Sequence, residues 1–217
     1  MSADIVPAII PTSRQSVITD SERLAFSAEL HLDVVDGDFV PASSWPYEPA
    51  DDPLSVRSAL ETFTLEVDLM VSQPLLAAAS WLKAGADMLV FHAETIAVED
   101  LARFDEQHKK CTIGIAANND TPLSTLLAYL PYVDYVQVMG IATIGSQGQP
   151  FDERALSRIQ DLRTAGVSLP ISIDGSVNEH TIERLSKAGA ERLVVGSAIV
   201  KTDHPAQAYR TLQTLAG

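Results

Sequence analysis

Cysteine is nearly absent from this chain: Cys111 is the single one among 217 residues. A lone thiol closes no internal disulfide, so the chain is not a disulfide scaffold and needs a packed core. Cys111 begins the apolar run Cys111-Thr112-Ile113-Gly114-Ile115 and reads as a buried strand thiol. Positive charge is scarce too. Lys and Arg number 15 against 29 Asp and Glu, a net charge of -14. Nucleic acid and anionic membrane surfaces call for a basic footprint, so neither is an expected partner. A small phosphorylated ligand stays open, because backbone N–H groups and helix N-termini hold phosphate whatever the global charge. Long hydrophobic runs are missing: none approaches the ~18 residues of a membrane span. Met1–Ile5 lacks a basic segment followed by an apolar stretch, so no signal peptide and a cytoplasmic location are expected. A Gly-x-Gly-x-x-Gly fingerprint after the first strand is also missing, which weakens a dinucleotide-binding reading.

Apolar residues make up 46% of the chain and charged residues 20%, enough for a substantial core. The length favours one domain over residues 1–217. Short β-rich runs recur at Asp4–Ile10, Glu29–Val35, Thr64–Val71, Met88–His92, Thr112–Ala116, Tyr135–Met139, Leu169–Asp174 and Arg192–Gly196. Several are almost continuously apolar, as strands covered on both faces are. Helical patterns lie between most of them, opened by Pro74, Thr121-Pro122, Asp152-Glu153-Arg154 and Asn178-Glu179. Lys83–Val90 resembles Lys187–Val194: a helix ends, glycine caps it, and a buried strand follows. Eight strands alternating with helices predict an α/β fold, a (β/α)8 TIM barrel, with an open doubly wound sheet as the alternative. The polar, proline-rich stretch Asp36–Pro53 after the second strand reads as an active-site loop or a surface excursion.

Reactive groups of a barrel sit at the C-terminal ends of its strands. Alternation puts His31 and Asp33 on one face of the second strand, as a metal-ligand or acid/base pair. Glu66 and Asp68 share a face of the third strand, where a carboxylate is costly unless paired or metal-bound. Asp174 closes the seventh strand, directly before Gly175. Three glycine-containing turns follow late strands: Gly145-Ser146-Gln147-Gly148, Gly175-Ser176 and Gly196-Ser197. Barrels often build a phosphate site there from backbone N–H groups. His92 at the end of the fourth strand reads as facing the mouth or as a hydrogen-bonded structural group. His108 reads as solvated, His180 as part of a helix start and His204 as part of a terminal polar turn.

Together these segments resemble the ribulose-phosphate 3-epimerase family. His31-Leu32-Asp33-Val34-Val35-Asp36-Gly37-Asp38-Phe39-Val40-Pro41 is similar to the family's His-Leu-Asp-Val-Met-Asp-Gly-His-Phe-Val-Pro. Leu69-Met70-Val71-Ser72-Gln73-Pro74 matches its Leu-Met-Val-x-x-Pro, and Ile173–Asn178 is similar to its Val-Asp-Gly-Gly-Val-Asn. Gly85-Ala86-Asp87 with His92-Ala93-Glu94, and Ala188-Gly189-Ala190 with Val195–Ile199, match further blocks. The resemblance implies epimerisation of a ketopentose 5-phosphate, with Asp33 and Asp174 as the proton-transfer pair. It implies a divalent metal on His31, Asp33, Asp68 and Asp174, and Met70 and Met139 in the substrate pocket. A sugar phosphate is then the expected small-molecule partner, and a homo-oligomer the expected assembly.

Departures from the pattern bear on chemistry. Asp68 stands where the family has His, which predicts a shift from Zn toward Mn, Mg or Fe(II), or loss of the metal. Ala8 replaces a hydroxyl-bearing Ser, Asp38 a His, and Val35 a Met. The stretch Met139–Gln149 is one residue longer than the family's and lacks its Pro and Phe, but keeps Gly145, Gly148 and Gln149. The Lys of the related decarboxylases is missing from Glu66–Val71, so decarboxylation is not expected. Two other readings stay open: an epimerase of another ketose phosphate, and a sugar-phosphate-binding paralogue without catalysis.

Overall fold

The computed structural model describes residues 3–217; Met1 and Ser2, part of the expected domain, lie outside them. Eight parallel strands close into a barrel in chain order. The elements run β1 (Asp4–Ile9), α1 (Arg14–Arg23), β2 (Glu29–Val35), α2 (Arg57–Leu60), β3 (Thr64–Met70), α3 (Pro74–Ala84), β4 (Met88–His92), α4 (Val98–Gln107) and β5 (Thr112–Ala117). They continue α5 (Leu123–Leu127), β6 (Tyr135–Met139), α6 (Arg154–Thr164), β7 (Ile171–Asp174), α7 (Ile182–Ala188), β8 (Arg192–Val195), α8 (Ser197–Val200) and α9 (Pro205–Leu215). The sheet closes where β1 pairs with β8, Pro7 opposite Val195. This is the (β/α)8 TIM barrel expected, and it displaces the open sheet. Among the described residues no helix is long and apolar enough to cross a membrane.

Both faces of each strand are covered, which is why the runs are apolar. Leu30, Leu32 and Val34 of β2 and Leu65, Val67 and Leu69 of β3 belong to the large core between barrel and helices. The alternate residues point inward. Gly85 (φ 106°) and Gly189 (φ 104°) end α3 and α7 in the left-handed conformation, as the internal repeat implies. Helix α1 starts on a capping box in which Ser13 and Ser16 satisfy each other's N–H groups.

Several boundaries differ from expectation. Strand β7 begins at Ile171, because Pro170 has no N–H to offer and contributes only its carbonyl, to Val136. Helix α7 begins at Ile182: the Asn178 side chain takes the His180 N–H and folds that segment into a turn. Cys111 precedes β5 and is half-buried; burial pushes its thiol up to about 12. The His108 ring lies on Phe104, with centroids 4.3 Å apart.

The stretch Asp36–Pro53 does two jobs. Its first part covers the barrel mouth: Phe39 lies 5.5 Å from the His92 ring, and Val40 packs at Gly145. Its second part anchors the loop, with buried Trp45 edge-on to Trp81 of α3 at 6.0 Å.

Candidate active site

The barrel interior holds a polar stack on an apolar frame. At its lower level Glu66 is fully buried. Its carboxylate accepts from Arg192 Nη1 at 2.6 Å, from His31 Nδ1 at 2.5 Å and from the Tyr135 hydroxyl. Arg192 also donates to Glu29 at 2.9 Å. Burial opposes the Glu66 charge, but His31 and Arg192 outweigh it and bring its pKa down to about 2. This is the pairing that an inward carboxylate on β3 required. The sequence pattern located Glu66 but neither Arg192 nor Tyr135, because their meeting depends on which strands face each other across the barrel.

One level up, His31, Asp33, Asp68 and Asp174 converge. One ligand atom from each lies within 4.8 Å of all the others. His31 Nε2 sits 3.0 Å from Asp33 Oδ1. Burial opposes protonation of His31, but the Glu66 and Asp33 charges raise its pKa well above the ordinary range. Burial and the Asp33 charge raise Asp174 well above the usual carboxylate range. Burial also raises Asp33, with His31 pulling the other way. Three carboxylates aimed at one point beside a single imidazole form a donor set that suits a divalent cation, and oxygen-rich sets favour hard ones. Glu66 on Nδ1 leaves His31 Nε2 facing the set, the arrangement a ligating histidine takes.

Asp68 is held from two further strands. His92 Nε2 donates to its Oδ1 at 2.9 Å and Gln137 Nε2 to its Oδ2 at 2.7 Å. Burial opposes protonation of His92, but the Asp68 charge and hydrogen bond, together with the Glu94 and Asp33 charges, raise its pKa. Gln137 went unnoticed in the sequence, where a glutamine in an apolar strand carries no motif. His92 was weighed there only as one of two readings.

Above these groups opens a cavity of about 230 Å³. Asp33 and Asp174 line it, with Met70 and Met139 as apolar wall and Ala8 at the β1 side. All seven expected phosphate residues, Gly145, Ser146, Gly148, Gly175, Ser176, Gly196 and Ser197, line the same cavity. Gly175 (φ 102°) and Ser176 (φ 55°), which line it, are successive left-handed residues. His31 and Asp68 lie below the lining, fully buried. Gln147, Gln149 and Asn178 also border the cavity and bring side-chain amides to a flank with no lysine or arginine.

The chain matches the model of the Ribulose-phosphate 3 epimerase family over residues 4–200. It is 30% identical to the ribulose-phosphate 3-epimerase of Mycobacterium tuberculosis, over 98% of this chain and 93% of that relative. It is 35% identical to that of Treponema pallidum, over 78% and 77%. Among solved structures, it is similar to the 3-keto-L-gulonate-6-phosphate decarboxylase of Vibrio cholerae, at TM-score 0.74 and 14% identity over 100% and 98% of the two chains. A 3-hexulose-6-phosphate synthase aligns at TM-score 0.72 and 19% identity over 99% of both chains. Those two likenesses show the barrel alone. The sequence relationship shows more: the chain belongs to the ribulose-phosphate 3-epimerase family, and with it to the epimerase class of isomerases.

Proposed function

We propose that this chain inverts the hydroxyl-bearing carbon next to the ketone of a ketopentose 5-phosphate, with Asp33 and Asp174 exchanging the proton. The observation that carries the reading is that these two carboxyl groups, from β2 and β7, border one cavity whose other flank is the glycine-rich set of turns. Backbone N–H groups of those turns hold the phosphate without a cationic side chain. The carbonyl end of the sugar then lies over the carboxylates, between Met70 and Met139, which keep water from the reacting carbon.

Asp33 removes the proton from one face of that carbon, and Asp174, entering protonated, returns a proton to the other face. Their unequal environments support this division: burial and the Asp33 charge raise Asp174 well above the usual carboxylate range, whereas the rise that burial causes at Asp33 is held back by His31. Turnover in the opposite direction uses the same pair with roles exchanged. His31, Asp33, Asp68 and Asp174 would hold a divalent metal, which supplies electrostatic stabilisation of the enediolate oxygens. The oxygen-rich donor set favours Mn, Mg or Fe(II) over Zn. A different ketose phosphate is the second reading, favoured by Ala8 in the cavity wall and by the lengthened Met139–Gln149 turn.

The test is turnover of D-ribulose 5-phosphate in deuterated water by protein supplied in turn with Mn, Fe(II), Co, Zn or Mg. The expected result is epimerisation with one solvent deuteron incorporated at the inverted carbon. Folded protein that turns over nothing with any of these metals would overturn the pentose assignment.

A further inference from the structure

Asp68 is fully buried, and both of its oxygens are taken, one by His92 from β4 and one by Gln137 from β6. A carboxylate offers about four lone-pair positions, so two remain free. The same side chain lies within 4.8 Å of the donor atoms of His31, Asp33 and Asp174. A clasp that merely neutralised a stray buried charge would satisfy its own members. This one does not: His92 Nδ1 and Gln137 Oε1 are buried with no hydrogen-bond partner among the described residues. Ser172 Oγ, on the register partner of Gln137, is likewise unpaired. Orphaned polar atoms are costly in an interior, and an apolar trio of similar volume would avoid the cost. The arrangement spends stability on holding one carboxylate in one orientation.

We propose that His92 and Gln137 are positioning residues that hold Asp68 by both oxygens and orient it as a cation ligand. The barrel thereby presents a carboxylate, rather than an imidazole, to a hard divalent cation. This inference rests on the metal-assisted reading above and adds the residues that tune cation choice. His92 and Gln137 act through Asp68, not on the sugar.

The experiment measures dissociation constants of Mn²⁺ and Zn²⁺ for the whole, metal-stripped protein by competition with a fluorescent chelator, with melting temperature followed in parallel. Loss of an outer-shell partner typically weakens metal binding about 10–100-fold. Gln137→Leu and His92→Phe are expected to weaken Mn²⁺ by that factor and Zn²⁺ by less. His92→Gln, which keeps an N–H donor, should recover most of the loss. In an Asp68→Asn background, Gln137→Leu should have no further effect on Mn²⁺; a structural role would leave its effect additive. If a variant melts early, Gln137→Met and His92→Leu carry the comparison. Mn²⁺ constants within two-fold of the parent in folded Gln137→Leu and His92→Phe would overturn the proposal, as would equal losses with and without Asp68. The expected binding pattern in a protein that does not epimerise ribulose 5-phosphate keeps the clasp and removes the epimerase reading. Turnover with unchanged metal constants does the reverse.

Discussion

Asp33 and Asp174 differ in surroundings rather than in kind. Asp33 faces the His31 ring, whereas Asp174 answers chiefly to burial and to the Asp33 charge. Replacing either by asparagine removes a proton carrier while keeping shape. Asp33→Asn and Asp174→Asn should each lower kcat by about 10²–10⁴-fold, the range of general acid–base catalysis, with an unchanged melting curve. A loss of less than ten-fold in either variant would show that its carboxylate does not carry the proton. Glu66 belongs to stability instead. Its pKa falls from an ordinary 4.5 to about 2 on folding. A depressed carboxyl stabilises the fold above its ordinary value, and that contribution is lost as pH falls from 4.5 toward 2. At 1.36 kcal/mol per unit this is about 3 kcal/mol. Glu66→Gln should therefore lose about that much stability at pH 6 and show a flatter acid limb, read by urea unfolding at a series of pH values. An unchanged acid limb would remove Glu66 from the account.

At the scale of elements, glycines set how closely the strand ends approach. A Cβ on Gly140, just after β6, would lie 2.0 Å from the Gly175 carbonyl oxygen after β7. Gly140→Ala should push these two turns apart and disturb the phosphate flank, raising KM at least ten-fold with a smaller change in kcat; parallel falls in both would place the damage at the carboxylates. A Cβ on Gly114 of β5 would meet the Tyr135 ring at 2.4 Å. Gly114→Ala should displace Tyr135 from Glu66 and cost about 1–3 kcal/mol, the usual penalty of overpacking, seen as a lower Tm. The elements themselves were largely readable from the chain. Apolar runs marked all eight strands, and Gly85 and Gly189 marked two helix ends. Helices α1, α4 and α9 lay outside the sequence expectations, although α4 and α9 carry an apolar stripe at helical spacing. The ends of β7 and α7 turned on local hydrogen bonding by Pro170 and Asn178 that periodicity does not register.

For the molecule as a whole, a charge of -14 opposes an anionic substrate. The expected phosphate flank has no basic side chain, so long-range repulsion is not cancelled near the mouth. Added salt screens it over about 10 Å at 0.1 M. Between 10 mM and 150 mM salt, kcat/KM should rise by about two-fold. A steep fall instead would mean that a local positive potential governs substrate capture.

Sequence alone determined the order of the eight strands and, by strand alternation, put His31 with Asp33 and Glu66 with Asp68 on one face of their strands, because alternation is a local property; the grouping of His31, Asp33, Asp68 and Asp174 came from the family resemblance. Sequence also marked the three glycine turns. Only the tertiary structure decided which polar groups meet. Arg192 reaches Glu66 across 126 positions and Gln137 reaches Asp68 across 69. Those partnerships follow from closure of the barrel and the stagger of its strands, which set side chains of distant segments at one height. A glutamine in one apolar strand and an aspartate in another announce nothing separately; burial in a shared, water-poor interior makes each the other's partner.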